Sequence, residues 1–170
     1  MAGSSLTSGT AALAAFNAAP GDVAAADVAA CCAARAFVQQ IVAGRPYADL
    51  GAVSAAVNTA FARLDDDGLA EAVAAHPRIG EPAASGWSRD EQAGAMDATD
   101  DVSRALAEGN AAYQRRFGQV FLICASGLSA DQLLAALRAR LDNDAAAERR
   151  IAAEELRKIT QLRIRKLLGA

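Results

Sequence analysis

The chain contains one histidine, His76, set in the stretch AVAAHPRIGEP directly before a proline. An imidazole can both take up and release a proton near neutral pH. Proline at 77 disfavours the α region for the residue before it, so a helix over Asp67 to Ala75 should stop at His76. There the negative end of the helix dipole favours a protonated ring. The same placement also suits a plain surface cap, contributing ~0.3–1 kcal/mol. A second group stands in WSRDEQAG, where Ser88 and Glu91 have the spacing of a capping box at the mouth of a helix. Helix mouths offer N–H groups to anions or carbonyl oxygens, and Gln92 adds an amide that both donates and accepts. The capping box alone, however, accounts for Ser88 and Glu91 without a ligand. The third is Arg163. Ala152, Leu156 and Ile159 step by four and three along one apolar face of the final helix, and Arg163 is the next step of four. A guanidinium there either snorkels at the edge of the stripe or meets an anion in a pocket. Lys158, Gln161 and Arg165 fall on another, solvated face.

The elements that must position these groups are helical. The spacing predicts a first helix over Ala11 to Asn17, after a flexible lead-in of residues 1–10, and a helical region from Val23 to Ala43 ending at GRP. Leu50, Val53, Val57, Phe61 and Leu64 form one buried stripe. DDDG breaks that helix and caps the one leading to His76. The segment PRIGEPAASGW, with two prolines and two glycines, is irregular. One or two helices follow over Arg89 to Arg116. In GQVFLICASG, the apolar run Val120 to Cys124 is a strand, an extended piece or a buried helical piece; periodicity does not choose. Ser129 and Gln132 have capping-box spacing ahead of Leu133, Leu134, Leu137 and Leu141. A last helix covers Ala145 to Leu168. The expectation is an all-α, single-domain bundle over residues 11–170, with about seven to nine helices.

Composition agrees. Hydrophobic residues make up 53% of 170 residues, largely as alanine, and charged residues 22%, which suits one globular helical domain and excludes a disordered chain. The net charge of −3 and the lack of a concentrated basic stripe argue against nucleic-acid binding. No apolar run reaches the roughly 18 residues of a membrane span, and the N-terminus lacks the pattern of a secretory signal. With a C-terminal LLGA unlike a peroxisomal address, the expected location is the cytoplasm. Cys31, Cys32 and Cys124 make no disulfide framework or metal pair and read as small buried hydrophobes.

HPRIGEP, WSRDEQAGA, NAAYQRRFGQVFLICASG and ELRKITQLRIRKLL, in that order, resemble the motifs of the OHCU decarboxylase family (2-oxo-4-hydroxy-4-carboxy-5-ureidoimidazoline decarboxylases of urate degradation). The similarity spans Phe16 to Leu168. It implies an all-α, cofactor-independent enzyme, often a homodimer, that forms (S)-allantoin and carbon dioxide from a small anionic substrate. By that resemblance His76 is the catalytic proton donor and Pro77 shapes the pocket beside it. Ser88, Glu91 and Gln92 fall on the substrate-binding S-x-x-E-Q pattern, with Glu91 also catalytic. Val120, Phe121, Leu122, Ile123 and Cys124 form the segment whose backbone borders the ligand, and Arg163 is the arginine of the final helix near the substrate. Many members read HPDLAGK where this chain has HPRIGEP, so Arg78, Ile79 and Glu81 belong to another variant. The substrate's conjugated C=N can accept the electrons left by departing carbon dioxide, so the resemblance implies no metal and no cofactor.

Two other readings compete. In a non-catalytic helical interaction module His76 and Arg163 are surface or edge residues, replaceable singly. A decarboxylase or hydrolase for a related ureido compound would line its pocket with the same residue types.

Overall fold

The computed structural model describes residues 4–81 and 86–170, with side chains described for residues 9–81, 88–95 and 97–170. Among the described residues it holds ten helices and no strand. These are α1 (Ser4–Ala18), α2 (Gly21–Cys31), α3 (Arg35–Ala43), α4 (Leu50–Ala62), α5 (Asp66–Ala74), α6 (Gly86–Glu91), α7 (Ala93–Met96), α8 (Asp100–Phe117), α9 (Ala130–Leu141) and α10 (Ala145–Leu167). The all-α class matches the sequence expectation, and the count is slightly higher because two expected helical regions are divided. Val23–Ala43 is interrupted at Cys32–Ala34, where Cys32 turns extended (φ −154°, ψ 119°) and its thiol bonds the backbone of Ala34. Nothing in the local sequence marks this break; buried packing of Cys32 and Ala34 overrides helix propensity. The region from Arg89 onward is divided into α6, α7 and α8. At the N-terminus α1 begins at Ser4 and takes in residues 4–10, expected as lead-in; Gly9 in that stretch is buried. Pro82 to Ser85, part of the expected irregular segment, and residues 1–3 of the lead-in lie outside the described residues.

The chain divides into two compact units, Met1–Ala72 with Arg157–Ala170, and Val73–Leu156. In the first, α3 packs on α2 and α4 around Val28, Phe37, Ile41, Val53 and Val57. Arg45 Nη1 donates to the carbonyls of Phe16 and Ala19, both at 2.8 Å, which satisfies acceptors left open at the end of α1. Asp49 caps α4 by accepting from Ala52 N at 2.7 Å, and Asp65 Oδ1 accepts from Gly68 N at 2.9 Å at the start of α5. The cap expected from DDDG is therefore present.

In the second unit α8 packs along α9. Its core holds Leu106, Tyr113, Phe121, Leu133 and Leu137, with the Tyr113 and Phe121 rings edge-on at 5.3 Å. Thr99 caps α8, acidic Asp100 and Asp101 open it, and Arg115 and Arg116 close it, each charge matched to the helix dipole. Ser129 and Gln132 form both bonds of the capping box on α9, as their spacing predicts.

Candidate functional site

His76 follows the end of α5. Its N–H donates to the Val73 carbonyl at 3.0 Å, closing the last turn, and Pro77 prevents the helix from continuing. The histidine is half-buried and its Nε2 is shielded from solvent. The chain then turns through Arg78–Glu81. Glu81 N donates to the Arg78 carbonyl at 3.2 Å, and the two side chains pair at 3.1 Å. Arg78 also donates to Gln114 on α8. Gly80 takes a positive φ of 83°, a conformation that costs glycine nothing and strains other residues.

Two side chains hold this turn from outside. Gln92 Oε1 accepts from Gly80 N at 3.0 Å, and Asn110 Nδ2 donates to the Ile79 carbonyl at 2.9 Å. The first contact joins the HPRIGEP loop to the S-x-x-E-Q segment, two motifs separated in the sequence. Gln92 is 6% exposed and sits at the junction of α6 and α7; its carbonyl oxygen is engaged by the protein, and its amide N–H groups are the part that a ligand could use.

Ser88 and Glu91 are buried, at 4% and 8% exposure. They do not form the expected helix mouth. The helix starts two residues earlier, at Gly86, so Ser88 lies inside α6 and Glu91 is its last residue. The anion-binding terminus expected from the capping-box spacing is thereby corrected, while the buried carboxylate and hydroxyl remain polar groups at a polar junction.

Val120 to Cys124 lies in neither a helix nor a strand. Phe121 and Leu122 bury their side chains, whereas Val120, Ile123 and Cys124 are half-buried. Protein groups fix the backbone. The Leu122 carbonyl accepts from Arg140 Nη1 at 2.6 Å, and Cys124 N donates to Glu155 Oε2 at 2.8 Å. Arg140 itself is buried, stacked over Phe121 at 4.6 Å and paired with Glu148, which also accepts from Tyr113 and, at 2.9 Å, from Asn143. Burial alone would raise the Glu148 carboxyl, but hydrogen bonds from Arg140, Tyr113 and Asn143 outweigh it and hold the group below its ordinary range. Burial first, then the bond to Glu148, pushes the Tyr113 hydroxyl up to about 12.

Arg163 belongs to the first unit and is 7% exposed, in line with the apolar stripe on which it was placed. Its charge acts on the thiol of Cys32, whose pKa is nevertheless raised by burial. The cysteines form no disulfide, and no group of three His, Cys, Asp or Glu side chains is placed to hold a metal ion among the described residues.

Sequence reasoning missed Asn110, Arg140, Glu148 and Glu155. Asn110 and Arg140 carried a signal of the same kind as Arg163, since each continues an apolar stripe: Leu106–Asn110–Tyr113 and Leu133–Leu137–Arg140. Glu148 and Glu155 carried none, because their partners come from other elements.

The fold is shared with solved structures. A crystal structure of (S)-allantoin synthase superposes with a TM-score of 0.72 at 18% identity, covering 91% of this chain and 53% of that one. A crystal structure of OHCU decarboxylase in the presence of (S)-allantoin also gives 0.72, at 32% identity, covering 84% of this chain and 96% of that one. The OHCU decarboxylase family model matches residues 17–165. The chain belongs to the OHCU decarboxylase family. It is 34% identical over 147 residues to the uric acid degradation bifunctional protein TTL of Arabidopsis thaliana, covering 82% of this chain but only 45% of that protein. It is also 34% identical over 134 residues to the 2-oxo-4-hydroxy-4-carboxy-5-ureidoimidazoline decarboxylase of Amia calva, covering 74% of this chain and 75% of that protein.

Proposed function

We propose that this chain decarboxylates 2-oxo-4-hydroxy-4-carboxy-5-ureidoimidazoline to (S)-allantoin, with His76 placing the proton on one face. The observation that carries the reading is the bond from Gly80 N to Gln92, which ties the histidine loop to the polar junction of Ser88, Glu91 and Gln92. In the reaction one C–C bond breaks and carbon dioxide leaves. Its electron pair passes into the conjugated C=N to give an enol. One proton is then added to the neighbouring ureido-bearing carbon, the stereocentre of allantoin, while the hydroxyl on the carbon that lost the carboxylate gives up its proton and becomes the ring carbonyl. The protein's task is to hold the ring, stabilise the migrating charge and protonate one side only. His76 supplies the proton from the end of α5. Glu91 and the Gln92 amide grip the hydroxyl and ureido groups, and Pro77 and the Val120–Cys124 segment border the ring.

Arg163 attracts the anionic substrate. Gripping the carboxylate tightly in the ground state would oppose its loss as neutral carbon dioxide, because only interactions stronger in the transition state speed the reaction. The guanidinium is therefore assigned to the charge entering the ring. The proposal extends to a cytoplasmic homodimer; none of the described helices is long and apolar enough to cross a membrane.

The test supplies the purified protein with urate, uricase and the intermediate hydrolase, so that substrate is made fresh. Accelerated carbon dioxide release together with dextrorotatory product supports the reading. Release at the uncatalysed rate with racemic product overturns it.

A further inference from the structure

Asn110 is 3% exposed on the inward face of α8, between Leu106 and Tyr113. Its Nδ2 holds the Ile79 carbonyl at 2.9 Å, while its Oδ1 is buried without a hydrogen-bond partner among the described residues. The residue lines a cavity of about 120 Å³ together with Arg78, Gly80, Ser103 and Ala107. A buried amide with one end unsatisfied is costly, and a leucine would suit this stripe better if packing were the only demand. The donor to Ile79 is what the amide contributes here.

That donor reaches His76 through a short, stiff stretch of chain. Pro77 has a fixed φ, and His76, preceding it, is confined to extended conformations. Little torsional freedom therefore separates the anchored Ile79 carbonyl from the imidazole. Gln92 anchors the next peptide at Gly80 N. We propose that Asn110 is a positioning residue for the reaction: with Gln92 it clamps the Ile79–Gly80 peptides, and through them it holds the His76 ring where protonation is confined to one face. This rests on the decarboxylase reading given above.

Asn110→Asp tests it. The substitution keeps the shape but replaces the donor with an oxygen that repels the Ile79 carbonyl when ionised and donates to it when protonated. Burial favours the protonated form, and the charged residues lining the same cavity, Arg78 and Glu81, are paired with one another. At pH 8 kcat of the variant is expected to fall at least about tenfold with KM little changed, since misplacement costs rate more than binding. The enantiomeric excess of the product should fall with it. The ratio of variant to wild-type kcat should then recover as pH is lowered toward 5.5. Asn110→Leu, which fills the stripe and has no donor, should stay low at every pH, with a far-UV spectrum like that of the wild type.

Amide hydrogen exchange at Gly80 and Glu81, measured without substrate, should quicken in both variants. A flat kcat ratio across pH, an active leucine variant, or unchanged exchange would overturn the clamp. Should the wild type itself leave the substrate untouched, the decarboxylase reading falls, and the exchange measurement alone decides whether Asn110 fixes the loop.

Discussion

A single imidazole cannot by itself impose handedness on a product; it must be held on one side of the reacting carbon. His76, to which the proposal gives this task, stands just past a helix end with Nε2 shielded from water. Glu91 is the residue whose role most needs separating from structure, since it is 8% exposed and ends α6. Glu91→Gln preserves its shape and removes its charge. If Glu91 handles substrate, kcat/KM should fall about 10²-fold while Tm shifts by less than about 3 °C. Loss of thermal stability with turnover spared would make it a structural carboxylate instead. Arg163→Gln should lower kcat in steady-state assays more than it raises KM, since the guanidinium is assigned to charge that develops only as carbon dioxide leaves. The raised pKa of the Cys32 thiol, a consequence of burial, accounts for the cysteine as packing rather than chemistry.

The loops and helix junctions position the candidate site, and here the sequence was legible in part. The end of α5 at His76–Pro77, the cap from DDDG and the capping box of α9 all followed from local chemistry, because a proline or a Ser/Gln pair acts on its immediate neighbours. Arg163 was legible as a continuation of the apolar stripe, but that position fits a guanidinium snorkelling at the edge as well as one that is buried, and the 7% exposure was not readable from spacing. The start of α6 was not, since a three-residue spacing between Ser88 and Glu91 fits a helix interior as well as a helix mouth. The break at Cys32–Ala34 and the partners of the Val120–Cys124 backbone were also hidden; both depend on contacts distant in sequence. Close approach is a further feature of this kind. A Cβ added at Gly94 in α7 would lie 2.0 Å from the Leu128 carbonyl, too near to be accommodated without movement of backbone. Gly94→Ala should therefore lower stability by about 1–3 kcal/mol, read as a drop in Tm of several degrees. An unchanged Tm would mean that α7 and the loop before α9 yield more easily than their spacing suggests.

Over the molecule, the Tyr113–Arg140–Glu148 network ties α8, α9 and α10 to the Val120–Cys124 segment, and its ionisation links stability to pH. Glu148 has a depressed pKa when folded, so its contribution is present above the ordinary carboxylate range and is lost as pH falls through the folded value. Tyr113, raised to about 12, contributes in the opposite sense: its share is intact below the ordinary tyrosine value and is lost as pH rises toward 12. Denaturant titrations should show stability declining at both ends. Glu148→Gln should flatten the acid limb and lower stability at neutral pH by about 3–5 kcal/mol, because Arg140 is left buried without its anion. An unaltered acid limb would place the acid sensitivity elsewhere. The decisive measurement, however, concerns what the folded chain makes. Chiral chromatography of allantoin formed from fresh substrate should give almost entirely the (S) form with the wild type, and with His76→Ala a racemic product at the uncatalysed rate. A His76→Ala protein that still produced (S)-allantoin at the wild-type rate would remove the histidine from the chemistry.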